Sequence, residues 1–378
     1  MSHTALEKAN AALDRGDQQS AIKLLKSHLA RNPADVAALY LMGVAYQEAG
    51  SSDGALKAFS RVLAFQAHHF GAHYGKALVL LNLGRHQEAM PHHDAAIRSA
   101  PRNFWAWVNR GISKAATGQY AAAIADYDRA LSLSPNLPAA LTNKGNALTG
   151  LGALDAALAC HEQVVALSRH DANAWCNMGG TLVKLARHAA AEAACRTALE
   201  LAPRLSTAWS NLGAALSGLK RHDAAEAACR KALELAPESS AAWSNLGRAL
   251  YGLKRYAATE AACRKVIELE PRSPEAWSNL GAALEGLKQH DAAEAACRKA
   301  LEMDARSAEA WRNLGAALCS LKRHDAAEAA GRKAIELAPL SPEAWNNLGA
   351  ALSGLKRYDA AEDACRKALE LDPGSSSA

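Results

Sequence analysis

Eight asparagines recur at intervals of 34 residues, and they are the side chains of this sequence best suited to binding. An asparagine amide offers two donors and an acceptor, a set that can pair with a peptide bond. Asparagine is a mediocre helix former, so helix propensity does not explain why it recurs at this position. We therefore predict that these amides form a ladder that binds an extended polypeptide through its backbone. The ladder comprises Asn109, Asn143, Asn177, Asn211, Asn245, Asn279, Asn313 and Asn347.

Two other interpretations of the ladder remain open. Near-identical units repeat any residue that one of them contains, whether or not it binds anything. Asn109 and Asn143 lie in repeats whose other residues have diverged, which indicates that the amide itself is needed there. The need could be structural, such as a hydrogen bond between repeats. The neighbouring residues are small, as at Ser210, Ala214 and Ser217, so we expect room for a strand and modest side-chain selectivity.

Histidines cluster near one end of the sequence, and His69 and His73 have the i, i+4 spacing of one helix face. A metal site there would also need His93 from the next helix. No cysteine or carboxylate pattern of zinc-site spacing accompanies them, so a polar packing cluster is the favoured interpretation. We predict no metal site and no cofactor. We also predict no enzyme, because the sequence contains no phosphate-binding glycine loop and no nucleophile elbow.

The elements that position these residues follow from a second regularity at the same interval. Six tryptophans return every 34 residues, and the period extends backwards through Trp107 to Leu39. A period of this size indicates a repeat architecture, and two helical patterns fit in each repeat. We predict an all-α solenoid of eleven helical hairpins: five diverged units over 2–171, six near-identical units over 172–375, and a tail at 376–378. The tryptophans are Trp175, Trp209, Trp243, Trp277, Trp311 and Trp345.

The unit AWSNLGAALSGLKRHDAAEAACRKALELAP, from Ala208 to Pro237, resembles the tetratricopeptide repeat, whose pattern includes Trp, Leu-Gly, Ala and Pro over 34 residues. Gly213 and Ala225 match the small residues that let the paired helices approach closely. The resemblance implies a right-handed superhelix whose concave face is lined by the first helices, and therefore by the Asn ladder. The ladder is also similar to that of O-linked N-acetylglucosamine transferases, where asparagines hold substrate polypeptide.

Two departures from the family pattern separate the later units from the early ones. Apolar residues early in the second helix, such as Ile22 and Leu158, give way to glutamate. Glycine in the turn between the helices, such as Gly16, gives way to lysine. We expect the turn to keep its location, while its geometry stays open. The glutamates are Glu192, Glu226, Glu260, Glu294, Glu328 and Glu362, and the lysines are Lys220, Lys254, Lys288, Lys322 and Lys356.

The turns also carry arginines such as Arg221 and Arg255, which together with the lysines predict a basic ridge. An anionic surface could use such a ridge. We favour a structural interpretation, because cations suit the end of a helix and nearby acidic residues nearly balance them. The formal net charge is only +5, and we do not expect nucleic acid as a partner.

Five cysteines share one register of the second helix, and we expect them to be small buried residues without disulfides, because packed helices hold them too far apart. No apolar stretch is long enough to span a membrane, so we predict a cytoplasmic protein with protein or peptide partners. The ending LDPGSSSA carries no capping helix, which would permit self-association through the last repeat. It would also suit a substrate-recruiting arm of a larger enzyme, such as a glycosyltransferase. The cysteines are Cys195, Cys229, Cys263, Cys297 and Cys365.

Overall fold

The computed structural model describes the backbone of residues 2–373 and the side chains of residues 5–373. Within this range all regular secondary structure is α-helical, in eleven hairpins of a 13-residue and a 14-residue helix, as the sequence predicts. The predicted tail at 376–378 and the end of LDPGSSSA lie outside the described residues. The helices are α1 Ser2–Asp14, α2 Gln18–Arg31, α3 Val36–Glu48, α4 Ser52–Phe65, α5 Phe70–Asn82, α6 His86–Ser99, α7 Phe104–Ala116, α8 Tyr120–Leu133, α9 Pro138–Gly150, α10 Leu154–Leu167, α11 Ala172–Lys184, α12 His188–Leu201, α13 Ser206–Gly218, α14 His222–Leu235, α15 Ser240–Gly252, α16 Tyr256–Leu269, α17 Pro274–Gly286, α18 His290–Met303, α19 Ala308–Ser320, α20 His324–Leu337, α21 Pro342–Gly354 and α22 Tyr358–Leu371.

The chain divides into two compact units, Met1–Asn177 and Met178–Ala378, with the boundary inside α11. We call them the N-terminal unit and the C-terminal unit. Within each unit the first helices other than α11 pack against their own second helix and against the first helix of a neighbouring hairpin, as α13 does with α14 and α15. Successive second helices do not pack on each other among the described residues. The first helices therefore form the inner face of each stack.

Capping side chains explain where the first helices begin. The hydroxyl groups of Ser239, Ser273, Ser307 and Ser341 accept the backbone N–H of the residue three positions later, at 3.2 to 3.3 Å. Such a bond satisfies one of the N–H groups that a helix leaves unpaired at its start. In the N-terminal unit Asp35, His69 and Asn103 do the same at 3.1 Å. Each cap thus fixes the start of a helix that carries the inner face.

One residue in each turn between paired helices adopts a left-handed backbone conformation. In the early repeats it is glycine, at Gly16, Gly50, Gly84, Gly118 and Gly152, with φ of 70 to 78°. In the later repeats the same conformation is held by Ala186 and by the lysines that replace glycine, with φ of 56 to 62°. The turn geometry is therefore retained, although a side chain disfavours this region by about 1 kcal/mol.

The paired helices meet where a glycine of the first accepts a side chain of the second. A Cβ on Gly111 would lie 2.5 Å from the Tyr127 ring, and one on Gly145 would lie 2.6 Å from the His161 ring. Five of the six later repeats place cysteine at this position, so Gly179 meets the Sγ of Cys195 instead, and the remaining one has Gly331. Large rings in the early repeats and thiols in the later ones fill the same site, as the close packing of protein interiors requires.

Candidate peptide-binding face

The ladder asparagines lie on first helices, two positions after the tryptophan register. Asn143 and Asn177 of the N-terminal unit are half-buried, as are the five asparagines of the C-terminal unit. Asn109 is only 8% exposed, and its Nδ2 donates to the Tyr74 hydroxyl at 3.2 Å. Within each unit the ladder therefore follows the inner face, with Asn109 the least accessible member.

Several ladder amides bind the preceding repeat. The Nδ2 of Asn245 donates to the Ser210 carbonyl at 3.2 Å and contacts the Ser210 hydroxyl at 3.0 Å. Asn313 repeats this pattern on Ser278 at 3.2 and 3.1 Å. A carbonyl can only accept, so the amide nitrogen must face the preceding helix, which directs the Oδ1 atom away from it. These bonds give the amides a structural role and also fix their orientation on the face.

Asn279 differs from its neighbours because it has no hydrogen-bond partner among the described residues. It lines a pocket of about 180 Å³ together with Arg248, Tyr251 and Arg312. The pocket also contains Glu275 and Glu309, each 3.4 Å from one of these guanidinium groups. Burial raises the pKa of Tyr251, so its hydroxyl is a donor near neutral pH. Asn279 is therefore a ladder amide whose polar atoms are available to a ligand beside a polar pocket.

The sequence-based prediction of a face lined by small residues did not foresee this pocket. Arg248 stands where neighbouring repeats have Ala214 and Ala282, and Tyr251 stands where one has Ser217. The sequence does contain a signal for this pocket. When the near-identical repeats are compared with one another, Arg248 and Tyr251 differ from the shared residues, and both line the same pocket of the C-terminal unit.

Models of the tetratricopeptide repeat match 206–239, 274–306, 342–375, 172–205 and 240–273. Further models of this repeat match 6–69, 40–104, 113–152, 139–170 and 298–342, so the matches together extend over nearly all of the chain. The chain belongs to the tetratricopeptide repeat family. A search of curated proteins finds no match.

Solved structures include similar tetratricopeptide-type folds. A chain of the APC/C hetero-tetramer Cut9–Hcn1 aligns with a TM-score of 0.61 at 15% identity, covering 100% of this chain and 88% of that chain. MamA from Desulfovibrio magneticus RS-1, residues 41 to the end, aligns with a TM-score of 0.43 at 25% identity, covering 44% of this chain and 95% of its own. The first similarity supports the repeat fold, and no further conclusion rests on either.

The glutamates that depart from the tetratricopeptide pattern join successive repeats. Glu226 accepts from Arg230 of its own helix at 2.9 Å and from Arg255 in the next turn at 2.8 Å. The Glu226 side chain is 11% exposed, so this ion pair is partly shielded from water. The turn arginines of the predicted basic ridge are thus paired with carboxylates, which leaves mainly the turn lysines as its charge. The same arrangement links Glu192 to Arg221, Glu294 to Arg323, and Glu328 to Arg357.

The clustered histidines of this tetratricopeptide chain bind different partners. His69 caps α5, and His73 contacts the Nδ1 of His92 at 3.0 Å and the Ala67 carbonyl oxygen at 2.9 Å. His93 contacts the Ser113 hydroxyl at 3.1 Å. The structure therefore does not bring His69, His73 and His93 together, and no group of three potential ligands occurs among the described residues.

All eight cysteines of the chain are free thiols. Burial raises the pKa of Cys229, Cys263 and Cys297 to about 12, which leaves these thiols protonated and unreactive near neutral pH. They serve as packing groups, as their register predicts. No described helix has the length and apolar character needed to cross a membrane.

Proposed function

We propose that this chain is a protein-interaction scaffold that binds an extended polypeptide segment along the inner face of its first helices. Membership of the tetratricopeptide family supports a scaffold, since proteins of this family bind protein partners. The observation that carries the finer proposal is the state of Asn279, whose amide is half-buried on the inner face and lacks a partner in the described part of the chain. An amide in that position can pair with both groups of a peptide bond.

The neighbouring asparagines support the same mode of binding. Asn245 uses its amide nitrogen for the carbonyl and the hydroxyl of Ser210 in the preceding repeat, so the Oδ1 atom remains for a ligand. Since the bond to Ser210 also holds the amide in place, less side-chain entropy is lost when a ligand binds. A backbone-directed ladder of this kind would accept many sequences.

The pocket beside Asn279 would add side-chain selectivity at one position of the bound segment. Arg248 and Arg312 offer donors, and Glu275 and Glu309 offer acceptors. Their contacts with each other are long, at 3.4 Å, so a ligand side chain can replace them at small cost. We expect a polar or charged ligand side chain at this position.

A displayed library of short unstructured peptides tests the proposal. Peptides selected on the native protein should lose most of their affinity when Asn211, Asn245, Asn279 and Asn313 are all changed to alanine. The matched control changes Arg230 and Arg264, which are exposed on second helices, to alanine. It should retain the selected peptides.

Asn279→Ala alone separates binding from folding, because this amide has no partner to lose within the described residues. Its melting temperature should match that of the native protein, while peptide affinity falls on the order of tenfold, the effect of one lost hydrogen bond to a buried polar group. Equal affinity of the native protein and both asparagine variants for all selected peptides would refute the proposal.

A further inference from the structure

A second cleft lies in the N-terminal unit, far along the sequence from the pocket at Asn279. Helices α4, α5 and α6 surround a volume of about 560 Å³. Four basic side chains line it, Lys57, Arg61, Lys76 and Arg85, together with one carboxylate, Glu88. Four positive charges and one negative charge leave an excess of three. We call it the basic cleft.

Lys76 differs from the residues at the same register of the next two repeats. There, Arg110 lies between Asp94 and Asp126, at 2.7 Å from each, and Lys144 lies 2.6 Å from Asp128. The position that supplies Asp94 and Asp128 is occupied by Ser60 next to Lys76. Lys76 donates to the Ser60 hydroxyl at 2.9 Å and has no carboxylate within ion-pair distance among the described residues.

The single carboxylate of the cleft is already engaged. Glu88 accepts two bonds from Arg85, each of 2.8 Å, on the rim of the cleft. Burial lowers the pKa of Lys76, with Glu88 opposing this shift and Arg85 adding to it. A half-buried ammonium group without an anionic partner is costly, and a bound anion would remove that cost.

His92 does not add to or cancel the charge at neutral pH. Burial, reinforced by Lys76 and His73, lowers its pKa to about 4, so the ring is neutral there. The adjoining cleft between earlier helices, of about 470 Å³, shares Lys57 and Arg61 with the basic cleft and adds Lys26. No carboxylate lines that second volume. Positive charge therefore continues across two neighbouring clefts of the N-terminal unit.

We propose that the basic cleft binds a phosphoryl group between the half-buried Lys76 of α5 and the exposed Lys57, Ser60 and Arg61 of α4. A phosphoryl group carries up to two negative charges and three acceptor oxygens, which matches ammonium, guanidinium and hydroxyl donors supplied by two neighbouring helices. A single carboxylate would neutralise less of the excess charge. The group is carried either by a phosphorylated side chain of a polypeptide or by a small phosphorylated molecule.

Calorimetric titration of the full chain with inorganic phosphate and with a phosphoserine peptide tests the proposal. Its unphosphorylated counterpart and a short single-stranded oligonucleotide serve as comparison ligands. We expect affinity for phosphate that weakens as salt increases, and little affinity for the unphosphorylated peptide. A phosphopeptide that binds more tightly than free phosphate identifies a polypeptide source, and equal affinities identify a small molecule. Preference for the oligonucleotide would overturn the proposal.

Three variants distinguish a loss of phosphate binding from a loss of folding. Lys76→Gln should weaken phosphate binding on the order of tenfold, whereas Lys144→Gln, at the same register but paired with Asp128, should not. Ser60→Asp introduces the carboxylate that the next repeats contain, so it should abolish binding while melting at or above the native temperature. Phosphate binding that persists in both Lys76→Gln and Ser60→Asp would overturn the assignment to this cleft.

Discussion

At the scale of single residues, a side chain in this protein has a role that depends on which repeat contains it. The packing position opposite the small residue of the first helix holds Phe59, His93 and Tyr127 in early repeats and, except at Gly331, a thiol in later ones. The group at this position varies in size, while it is buried in every repeat between Phe59 and Cys297. Substitutions at equivalent positions of different repeats are therefore informative controls for one another.

Replacement of Lys254 by glycine should stabilise the protein. Lys254 has φ of 58°, a conformation that disfavours any residue with a Cβ, so Lys254→Gly should gain about 1 kcal/mol. The reciprocal change, Gly152→Lys, should lose a similar amount, because Gly152 has φ of 78° and open space around it. Thermal melting of both variants measures the effect. A decrease in stability for Lys254→Gly would show that the lysine side chain contributes more than the backbone cost.

Acidification should destabilise the protein through His93. Burial, with a contribution from Arg110, lowers its pKa from 6.5 to about 4, so the folded state keeps the ring neutral while the unfolded chain becomes protonated below pH 6.5. The unfolded state then binds more protons, and stability falls as the pH decreases from 6.5 towards 4. The loss is on the order of 3 kcal/mol at its full extent.

His93→Phe provides the measurement, since the equivalent Phe59 is fully buried in the preceding repeat. Urea midpoints of the native protein and the variant at neutral and mildly acidic pH should show a smaller acid-induced decrease for the variant. His161, whose pKa is also lowered by burial, supplies a remaining decrease in both proteins. An identical pH dependence of the two proteins would contradict this role for His93.

Sequence reasoning at this scale identified the ladder residues but not their individual states. The 34-residue period alone predicts that every ladder asparagine lies on a first helix. Whether an amide binds Ser210, as Asn245 does, or remains unpaired in the described chain, as Asn279 does, depends on the conformation of the individual side chain. Side-chain spacing along the sequence carries no such information.

At the scale of helices and turns, the departures from the family pattern are coupled. A glutamate in one second helix and an arginine in the following turn occur together, and the structure joins them across the repeat boundary, as with Glu226 and Arg255. The sequence revealed each substitution separately. Their pairing could not be predicted, because it requires the second helix of one repeat to lie beside the turn of the next.

Among the boundaries between the later repeats, one lacks this ion pair, and a substitution there should supply it. In the described part of the chain Glu260 pairs only with Arg264 of its own helix, at 2.8 Å, since the turn position of the next repeat is Gln289. Gln289→Arg should supply the second partner and stabilise the protein by about 0.5 kcal/mol, the usual size for a largely exposed pair. Arg255→Gln should cost a similar amount. Both effects, measured by thermal melting, should diminish at high salt, and a salt-independent change would contradict an electrostatic origin.

At the scale of the whole molecule, each unit is a series of contacts between neighbours, and its stability is approximately a sum over repeats and boundaries. The all-α class and the eleven hairpins could be predicted from the period because the helix and turn positions recur at the same interval. The division inside α11 could not be predicted from that period, which continues through it without interruption.

Deletion of a complete repeat should change stability differently in the two units. Removal of 274–307 joins repeats whose contacts are equivalent, since Leu314 replaces Leu280 opposite Cys263 and Arg323 comes to face Glu260. Removal of 104–137 places Ala147 where Ser113 now contacts His93, so a buried ring loses its partner at a cost of about 1 to 3 kcal/mol. Circular dichroism melts should show the first variant near the native temperature and the second below it. Equal melting temperatures would contradict the role of matched boundaries.

The repeated tryptophans have a spectroscopic consequence. In each of seven repeats the indole N–H donates to the carbonyl oxygen six residues earlier, from Trp107 to Pro101 at 3.0 Å through Trp345 to Pro339 at 2.9 Å. Each indole is partly buried and attached to the link that precedes its own first helix. Emission from these fluorophores therefore reports the opening of individual links. A protein that retains one of them, with phenylalanine at the others and at Trp105, the eighth tryptophan of the chain, would report where along a unit unfolding begins.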